Sequence, residues 1–464
     1  MQHPVISARV CDLRAILILA LMVRWAYSAG LYAWLGDSGL LSGDSFGYLT
    51  VARQMAADAL AGNLHGWDWL GIDVARMPLY PWFLMANVVV FGSAGAIATV
   101  LLQGLIDTGT CFFAAQIAGS IDRRIAIPTA AVAALNPTMV VLSGLVLTDT
   151  LFVFFATMAF YGAVRWMKQP SWSAAVVMGA GLGLAATDRV LIVPFVPVML
   201  IVLLLSRSIV AGIKMSNVRQ LVVAVIISCL GIAPVLARNV THYGAWALTP
   251  QGGGHLAFWI VPLVREAKDG TLWAKGAADS QARITARFGE QSPNPFVNSR
   301  HNEEVAREEL SELGFAAIVK AWAIGAGINL ASPALIIAPP LANLPRSGFY
   351  ETGAKTTFGK IYNFLFRSSG GIYAVVLLTG VAGVAAFRLV QAVGFFALVR
   401  DSVAWPALIL LLLWIGFILA ANGPIASPKY RLPIEPVLCI LAGAGIQLLQ
   451  RRRAVLSASP QTGA

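Results

Sequence analysis

The sequence has 464 residues, of which 58% are hydrophobic and 12% are charged, with a net charge of +11. An ordinary soluble domain contains about 45–50% apolar and about 25% charged residues, so the composition excludes that class and predicts a membrane protein. The Lys and Arg residues form short clusters between apolar runs, as cytoplasmic loops do. We therefore expect membrane lipids around the chain and no nucleic-acid partner.

Ten segments are apolar enough to be transmembrane helices, each bounded by charges, Gly or Pro. They are residues 13–35, 95–120, 125–145, 148–166, 173–188, 190–206, 220–238, 371–388, 403–422 and 433–450. The first is expected to be an uncleaved helix rather than a signal peptide, because its apolar character continues to Leu35. Residues 79–92 would rise only about 21 Å as a helix, short of the ~30 Å hydrocarbon core, so we predict a surface helix there.

These segments predict an all-α polytopic membrane protein with about ten transmembrane helices and external interfacial helices. Residues 1–238 form a transmembrane catalytic module, with a first external loop at 36–78 and the interfacial helix 79–92. Residues 239–370 form a large external loop with interfacial or re-entrant helices. Its polar portion, Lys268 to Leu313, ends in acidic residues from Glu303 to Glu309 that lead into Phe315, Ile318 and Val319 like an amphipathic helix on the membrane. Residues 371–464 form the last transmembrane helices and a basic cytoplasmic tail. If residues 79–92 do not cross the membrane, Arg123, Lys168 and Arg451 all lie on the cytoplasmic side, as the positive-inside rule expects.

Ionisable residues at the predicted external membrane edge are informative, because lipid penalises unpaired charges. Asp44 and Tyr48 follow the first span at helical spacing and would share one helix face. A carboxylate there is either a general base for an incoming hydroxyl or the N-cap of a helix. Asp149 opens another helix and is either an N-cap or a second carboxylate facing Asp44.

Cations recur at the same edge. Arg76 begins the segment Arg-Met-Pro-Leu-Tyr-Pro, where its guanidinium either grips a phosphate or anchors to lipid headgroups. Further candidates are Arg238 and Asn239 at the end of one span, and Lys429, Tyr430 and Arg431 before the last. Two cations beside an aromatic residue suit a lipid-phosphate site, although cations flanking a span are common.

Taken in order, these elements resemble the GT-C fold superfamily of polyprenyl-phosphate-dependent glycosyltransferases, the group of protein O-mannosyltransferases and the aminoarabinose transferase. The matching residues are Asp44 and Tyr48, Arg76 to Pro81, Asn136-Pro137 with Asp149, Gly179 to Arg189, Arg238-Asn239, and Lys429 to Pro433. Each motif is weak alone, whereas the ordered set covers most of the chain.

The resemblance implies an inverting transfer of a sugar from a polyprenyl-phosphate donor to a glycan, lipid or protein acceptor. Asp44 and Asp149 would be the catalytic carboxylates. The donor phosphate would be bound by Arg76, Arg238, Lys429, Tyr430 and Arg431, with Tyr48, Asn239 and Arg189 in supporting roles. The resemblance also implies that the protein lies in the cell inner membrane, with its active site facing the periplasm or exterior.

The chain departs from the family pattern at three places. The last motif reads Lys429-Tyr430-Arg431 where the family has Arg-Tyr, so either Lys429 or Arg431 takes the phosphate-facing role. Ser45 stands where some members carry a second acidic residue, so a divalent cation is possible and metal dependence stays open. Asp188 precedes Arg189 and is a candidate for neutralising it.

Two other functions compete with sugar transfer. A secondary transporter or lipid flippase is the main alternative, although such proteins usually show internal repeats and charge at mid-membrane, and no repeat is evident here. A ligase acting on pyrophosphate-linked glycans is the other.

Two charges fall near the middle of predicted spans and belong to none of these motifs. Arg24 lies in the first span and Asp107 in the second, at about the same depth. Because unpaired charges at this depth are costly, we predict that the two form a structural ion pair between helices.

Overall fold

The structure is a computed structural model that describes residues 3–71, 73–344, 348–354, 356–367 and 371–458. This part of the chain is helical and contains no strand. The first ten helices are α1 (His3–Leu35), α2 (Gly43–Leu60), α3 (Leu79–Phe91), α4 (Gly95–Ile121), α5 (Ala126–Ala134), α6 (Pro137–Ser143), α7 (Asp149–Lys168), α8 (Trp172–Asp188), α9 (Phe195–Ala211) and α10 (Met215–Tyr243). Next come α11 (Gln251–His255), α12 (Val261–Asp269), α13 (Trp273–Phe288), α14 (Pro295–Leu313), α15 (Phe315–Ala331), α16 (Pro339–Ala342) and α17 (Thr357–Phe366). The last are α18 (Gly371–Val399), α19 (Trp405–Asn422), α20 (Pro428–Arg431) and α21 (Glu435–Ala458).

Each of the ten predicted spans coincides with one of these helices or with a closely joined helix pair. Among the described residues, eight helices are long and apolar enough to cross a membrane, or up to ten if each of two bent pairs is one span. The predicted class, an all-α multi-pass membrane protein, is therefore confirmed. The tail beyond residue 458 lies outside the described part of the chain.

Two contacts define opposite ends of the helix bundle. At one end, Lys429 before α21 meets Asp44 of α2. At the other, Arg451 of α21 lies 3.8 Å from Asp122, which follows α4. The candidate carboxylate and the basic cluster thus lie at opposite ends of the bundle, as the charge pattern predicts.

Helix α3 folds back along the first turns of α4. The turn between them begins at Gly92, whose φ of +55° is accessible at little cost only to glycine. The Tyr80 hydroxyl of α3 donates to Gln103 of α4 at 2.8 Å. The predicted surface location of residues 79–92 in the membrane stays a prediction.

The pairing predicted for Arg24 and Asp107 is confirmed. Arg24 Nε lies 2.7 Å from Asp107 Oδ2, and both side chains are buried. The Arg24 guanidinium also donates to the carbonyls of Ala133 and Ala134, at the end of α5. The chain bends by 50° between α5 and α6, so the arginine satisfies carbonyls that this break leaves open.

The segment predicted to be external, residues 239–370, forms a cap of short helices in its described part. The prediction of one amphipathic helix from Glu303 to Val319 is wrong, because the chain divides it at Gly314 between α14 and α15. The acidic residues Glu304 and Glu308 of α14 pair with Arg287 of α13. These carboxylates therefore face a protein neighbour. At Gly314 (φ +86°) the chain bends by 102° into α15, as in a broken span or re-entrant segment.

Candidate active site

Asp44 lies in the first turn of α2 with an exposed carboxylate. Ser42 and Ser45 cap this helix, since the Ser42 N–H donates to Ser45 Oγ at 2.9 Å. Asp44 is therefore not needed as the N-cap, which was the alternative role that the sequence left open. Its side chain is 63% exposed, so an incoming substrate can reach it.

Lys429 joins Asp44 to the far end of the chain. Its ammonium lies 2.5 Å from Asp44 Oδ2 and 3.9 Å from Asp149 Oδ2. Ser427 caps the short helix α20, with its hydroxyl accepting from the Lys429 N–H at 3.3 Å. The local fold thus points one cation at both predicted carboxylates.

Asp149 begins α7 and is buried at 2% exposure. Its Oδ1 accepts from Arg189, and the Arg189 guanidinium carbon lies 5.6 Å from the centre of the Phe152 ring. Asp149 is thus a second carboxylate beside Asp44, held by two cations. Among the described residues no ion pair joins Arg189 to Asp188, the partner that the sequence suggested.

Arg76 completes the exposed side of this cluster. Its guanidinium carbon lies 3.9 Å from the centre of the Tyr48 ring, and its Nε donates to Asp73 at 2.9 Å. A Cβ atom at Gly47 would overlap the Arg76 guanidinium, so glycine leaves room for the arginine beside α2. The Arg76 side chain is 22% exposed, and among the described residues its one hydrogen-bond acceptor is Asp73.

The surrounding cations set the charge state of Asp44. Burial is the largest single influence and by itself raises its pKa, but Lys429, Arg76 and Arg189 together outweigh it. The pKa of Asp44 therefore lies below its usual range, and the carboxylate is ionised at neutral pH.

Arg238 and Asn239 are buried and bind backbone. Arg238 donates to the carbonyl of Gly71 at 3.2 Å, and Asn239 donates to the carbonyls of Ala247 and Leu248 at 2.7 and 3.0 Å. The pair ties α10 to the first external loop and to the start of the second. The structure does not bring their side chains into contact with Asp44 or Asp149.

Arg431 is also engaged elsewhere. Its guanidinium pairs with Glu435 at 2.5 Å and donates to Thr138 and to two carbonyls near the end of α15. With 3% of its side chain exposed, it has little left to offer a phosphate. Tyr430, whose carbonyl accepts from Asn422, packs beside Ile425 and Tyr350.

Arg431 lines a different space from that of Asp44. A cavity of about 1130 Å³ runs between α5, α18 and α21, from Arg431 and Arg388 to Arg124 and Arg451. Its lining does not include Asp44, Asp149 or Lys429. The seven predicted catalytic and phosphate-binding positions thus separate into two groups. Asp44, Asp149, Arg76 and Lys429 lie together, whereas Arg238, Tyr430 and Arg431 are engaged elsewhere.

Sequence reasoning overlooked Asp73 and Glu435, the partners of Arg76 and Arg431. Each of these acidic residues lies three or four positions from its arginine in the sequence, and side chains at that spacing on a turn or helix are neighbours. It also offered no sign that Ser42 and Ser45 would cap α2. For a metal, no group of three His, Cys, Asp or Glu side chains in the described part of the chain is arranged to hold an ion.

Comparisons with known proteins agree with this fold. The family described as dolichyl-phosphate-mannose-protein mannosyltransferase matches residues 75–237. A search of curated proteins returned no match.

The matching solved structures cover nearly the whole chain, whereas the family match covers residues 75–237. The oligosaccharyltransferase of Archaeoglobus fulgidus, tethered with an acceptor peptide containing the NVT sequon, is 12% identical with a TM-score of 0.52, covering 97% of this chain and 51% of that chain. Its complex with Zn and sulfate gives 11% identity and a TM-score of 0.53, over 96% and 50% of the two chains. ArnT from Cupriavidus metallidurans in the apo state is 16% identical with a TM-score of 0.38, over 98% and 80%.

The chain spans about half the length of the archaeal oligosaccharyltransferase. The ten predicted spans and this likeness identify the architecture, and the family match covers α3 to α10 in part or whole. The chain therefore has a GT-C-like fold, shared with the archaeal oligosaccharyltransferase, and its residues 75–237 match the family described as dolichyl-phosphate-mannose-protein mannosyltransferase.

Proposed function

We propose that the protein is a membrane glycosyltransferase that moves a sugar from a polyprenyl-phosphate donor to an acceptor hydroxyl or amine. The observation that carries the proposal is the exposed Asp44 carboxylate, held beside Lys429 and backed by the Asp149–Arg189 pair. The family match supports the donor class, since dolichyl phosphate is a polyprenyl phosphate.

The donor phosphate is assigned to Lys429, Arg76 and Arg189. Their side chains are 18%, 22% and 25% exposed, whereas that of Arg431 is 3% exposed and its hydrogen bonds are committed. Negative charge gathers on the phosphate as the bond to the sugar breaks, so cations already in position stabilise the transition state.

Asp44 is assigned as the general base. The acceptor oxygen or nitrogen attacks the anomeric carbon, the bond from that carbon to the phosphate oxygen breaks, and polyprenyl phosphate leaves. The acceptor proton passes to Asp44. Attack opposite the leaving group inverts the configuration at the anomeric carbon.

Lys429 links these two roles. Before the donor binds, its ammonium lies against Asp44 and keeps the pKa of that carboxyl low, which makes Asp44 a weak base. A phosphate that draws Lys429 towards itself removes that influence and raises the basicity of Asp44. The base is then strongest when the donor is in place.

Asp149 is assigned a positioning role. It is buried, accepts from Arg189 and lies 3.9 Å from the Lys429 ammonium, so it orients two of the phosphate-binding cations. Asp149 remains the second candidate for the base if Asp44 proves dispensable.

We further infer that this site faces the periplasm or exterior in a cell inner membrane. The support is the charge pattern, because the basic clusters lie at the end of the bundle away from Asp44.

The test is an assay of the full chain reconstituted in lipid vesicles with radiolabelled polyprenyl-monophosphate sugars and a membrane extract as the source of acceptor. We expect release of polyprenyl phosphate together with a labelled product, and loss of both with Asp44→Asn. Movement of the lipid-linked sugar across the vesicle membrane with no cleavage would indicate a flippase and overturn the proposal. Cleavage of pyrophosphate-linked donors alone would indicate a ligase.

A further inference from the structure

A second cavity lies in the cap, close to the chain segment that carries Lys429. It has a volume of about 320 Å³ and is lined by residues of α12 and α15, by residues within 349–354 and 356–360, and by Pro424 and Ala426. This volume is at the lower end of the range of ligand pockets, about 300–1000 Å³, and is large enough for one sugar ring. We name it the cap cavity.

The polar side of the cap cavity is an ion pair that burial makes costly. Lys360 pairs with Glu266, and the two side chains are only 8% and 13% exposed. One Glu266 oxygen, Oε2, is buried and receives no hydrogen bond from any described residue. A buried carboxylate oxygen without a donor costs free energy, so a ligand that donates a hydrogen bond to Glu266 would be favoured here.

The cap cavity also has an aromatic wall beside this ion pair. Phe349 and Tyr350 line it, and the Lys360 ammonium lies 4.5 Å from the centre of the Phe349 ring. The Tyr350 ring packs against Trp259 and Trp273, with ring centres 6.1 and 6.3 Å away. The aromatic wall is therefore held in place by its own neighbours.

The cations of the cap cavity are already engaged, which argues against an anionic ligand. Lys320 donates to the carbonyl of Ala267, and Lys360 is paired with Glu266. A phosphate would have to displace these partners. A ring with an apolar C–H face and a hydroxylated edge matches an aromatic wall beside a carboxylate that lacks a donor.

The cap cavity is tied to the active site through Tyr350. The Tyr350 hydroxyl donates to the carbonyl of Ala426 at 3.1 Å and accepts from the N–H of the same residue at 3.2 Å. Lys429 follows three residues later and contacts Asp44. A ligand against Tyr350 is therefore held next to the segment that positions the catalytic cluster.

We propose that the cap cavity binds a sugar ring of the acceptor, with a ring hydroxyl donating to Glu266 and the apolar ring face on Phe349. This assignment rests on the proposed function, because it treats the cap as the acceptor side of a glycosyltransferase. Lys360 keeps Glu266 ionised and in place.

The experiment measures sugar binding directly, with the full chain in detergent and no donor present. Saturation-transfer NMR is recorded with the methyl glycosides of mannose, glucose, galactose and N-acetylglucosamine, and with a short neutral peptide. We expect at least one glycoside to bind. Glu266→Gln, which replaces the unpaired acceptor atom by a donor, and Phe349→Leu should each weaken its binding by tenfold or more.

Glu308→Gln is the matched control, because Glu308 lies in the same cap with 54% of its side chain exposed and should leave binding unchanged. The assignment is overturned if no glycoside binds the unaltered protein. It is also overturned if both cavity variants bind the glycoside as tightly as the unaltered protein does. Binding of the peptide alone would identify a peptide site instead. Asp44→Asn should bind the glycoside normally. If the unaltered protein binds the glycoside but transfers no sugar, the proposed function is refuted and this assignment of a sugar-binding cavity stands.

Discussion

Lys429 and Asp44 lie 385 residues apart in the sequence, and their side chains meet at 2.5 Å. The contact joins the first external loop to the start of the last membrane helix, and Asp149 completes it from α7. Three separate parts of the chain therefore contribute to one small cluster of alternating charge. Asp44 is the single exposed carboxylate of this cluster, so its substitution is the most direct test of the proposed function.

Asp44→Asn should abolish sugar transfer without weakening the fold. Asn keeps the shape of the side chain and loses its basicity, so turnover should fall by about 10²–10⁴-fold. The cap of α2 is built by Ser42 and Ser45 and is untouched by the change. Turnover is measured in vesicles, with Asp37→Asn in the same external loop as the control. Near-normal turnover in Asp44→Asn would shift the base to Asp149.

Lys429→Met should change how the reaction depends on pH. In the unaltered protein the acidic limb of kcat/KM reports the free enzyme and should lie below the usual range for a carboxyl, since the pKa of Asp44 is lowered. The acidic limb of kcat should lie higher, because bound donor draws Lys429 away. Without the lysine, the kcat/KM limb should move up towards the kcat limb. Lys168→Met is the control, and an unchanged gap between the two limbs would refute the proposed role of Lys429.

The lowered pKa of Asp44 also predicts how the stability of the fold changes with pH. Because the pKa of Asp44 is lower in the folded chain than in the unfolded one, the Asp44–Lys429 pair stabilises the fold above the unfolded pKa. That contribution is lost as the pH falls through the folded pKa. Asp44→Asn should therefore flatten the loss of thermal stability on acidification, and a steeper loss would contradict the pairing.

Much of the fold followed from apolar periodicity and the distribution of basic residues. Eight of the predicted spans are long and apolar enough to cross a membrane, and α5 with α6 is a ninth if that bent pair is one span. These spans and the Arg24–Asp107 pair could be inferred because a bilayer restricts helix length and penalises unpaired charge. The cluster of Asp44, Asp149 and Lys429 could be anticipated as residues at one end of the bundle, although not as direct contacts.

The roles of the buried arginines could not be inferred in the same way. Arg24, Arg388 and Arg431 each donate to carbonyls near the end of an interrupted helix, at Ala133 and Ala134 or at residues 329–332. Where a helix is interrupted inside the bundle, its last carbonyls need hydrogen-bond donors, and the sequence gives only the approximate position of the interruption. An arginine meeting carbonyls and one meeting a phosphate look alike in sequence.

Arg76→Ala and Arg431→Ala should therefore have different consequences. Arg76 is partly exposed, so its loss should raise the donor KM, by the equivalent of about 1.5–3 kcal/mol if one charge-assisted bond to the phosphate is lost. Arg431→Ala leaves Glu435 buried without its partner and should destabilise the fold by about 3–5 kcal/mol.

Donor titrations and thermal unfolding in detergent distinguish the two effects. Arg53→Ala, exposed on α2, is the control for Arg76, and Arg452→Ala, exposed near the end of α21, is the control for Arg431. A stable Arg431→Ala protein with a raised donor KM would restore Arg431 to the phosphate site.

Arg24 offers a test of why a cation lies in the middle of the membrane. It pairs with Asp107 and also donates to the carbonyls of Ala133 and Ala134 where α5 ends. Arg24→Met leaves a buried carboxylate unpaired and should lower the free energy of unfolding by about 3–5 kcal/mol. Arg24→Met with Asp107→Leu removes both charges and should recover part of that loss, because the two carbonyls still lack donors.

Equilibrium unfolding in mixed detergent micelles measures the four proteins of this cycle, with Asp107→Leu alone as the fourth. Full recovery in the double variant would mean that the arginine serves only its carboxylate, and that the break after α5 needs no donor. No recovery would mean that the carbonyl contacts dominate. We expect an intermediate value, because one guanidinium satisfies both requirements at once.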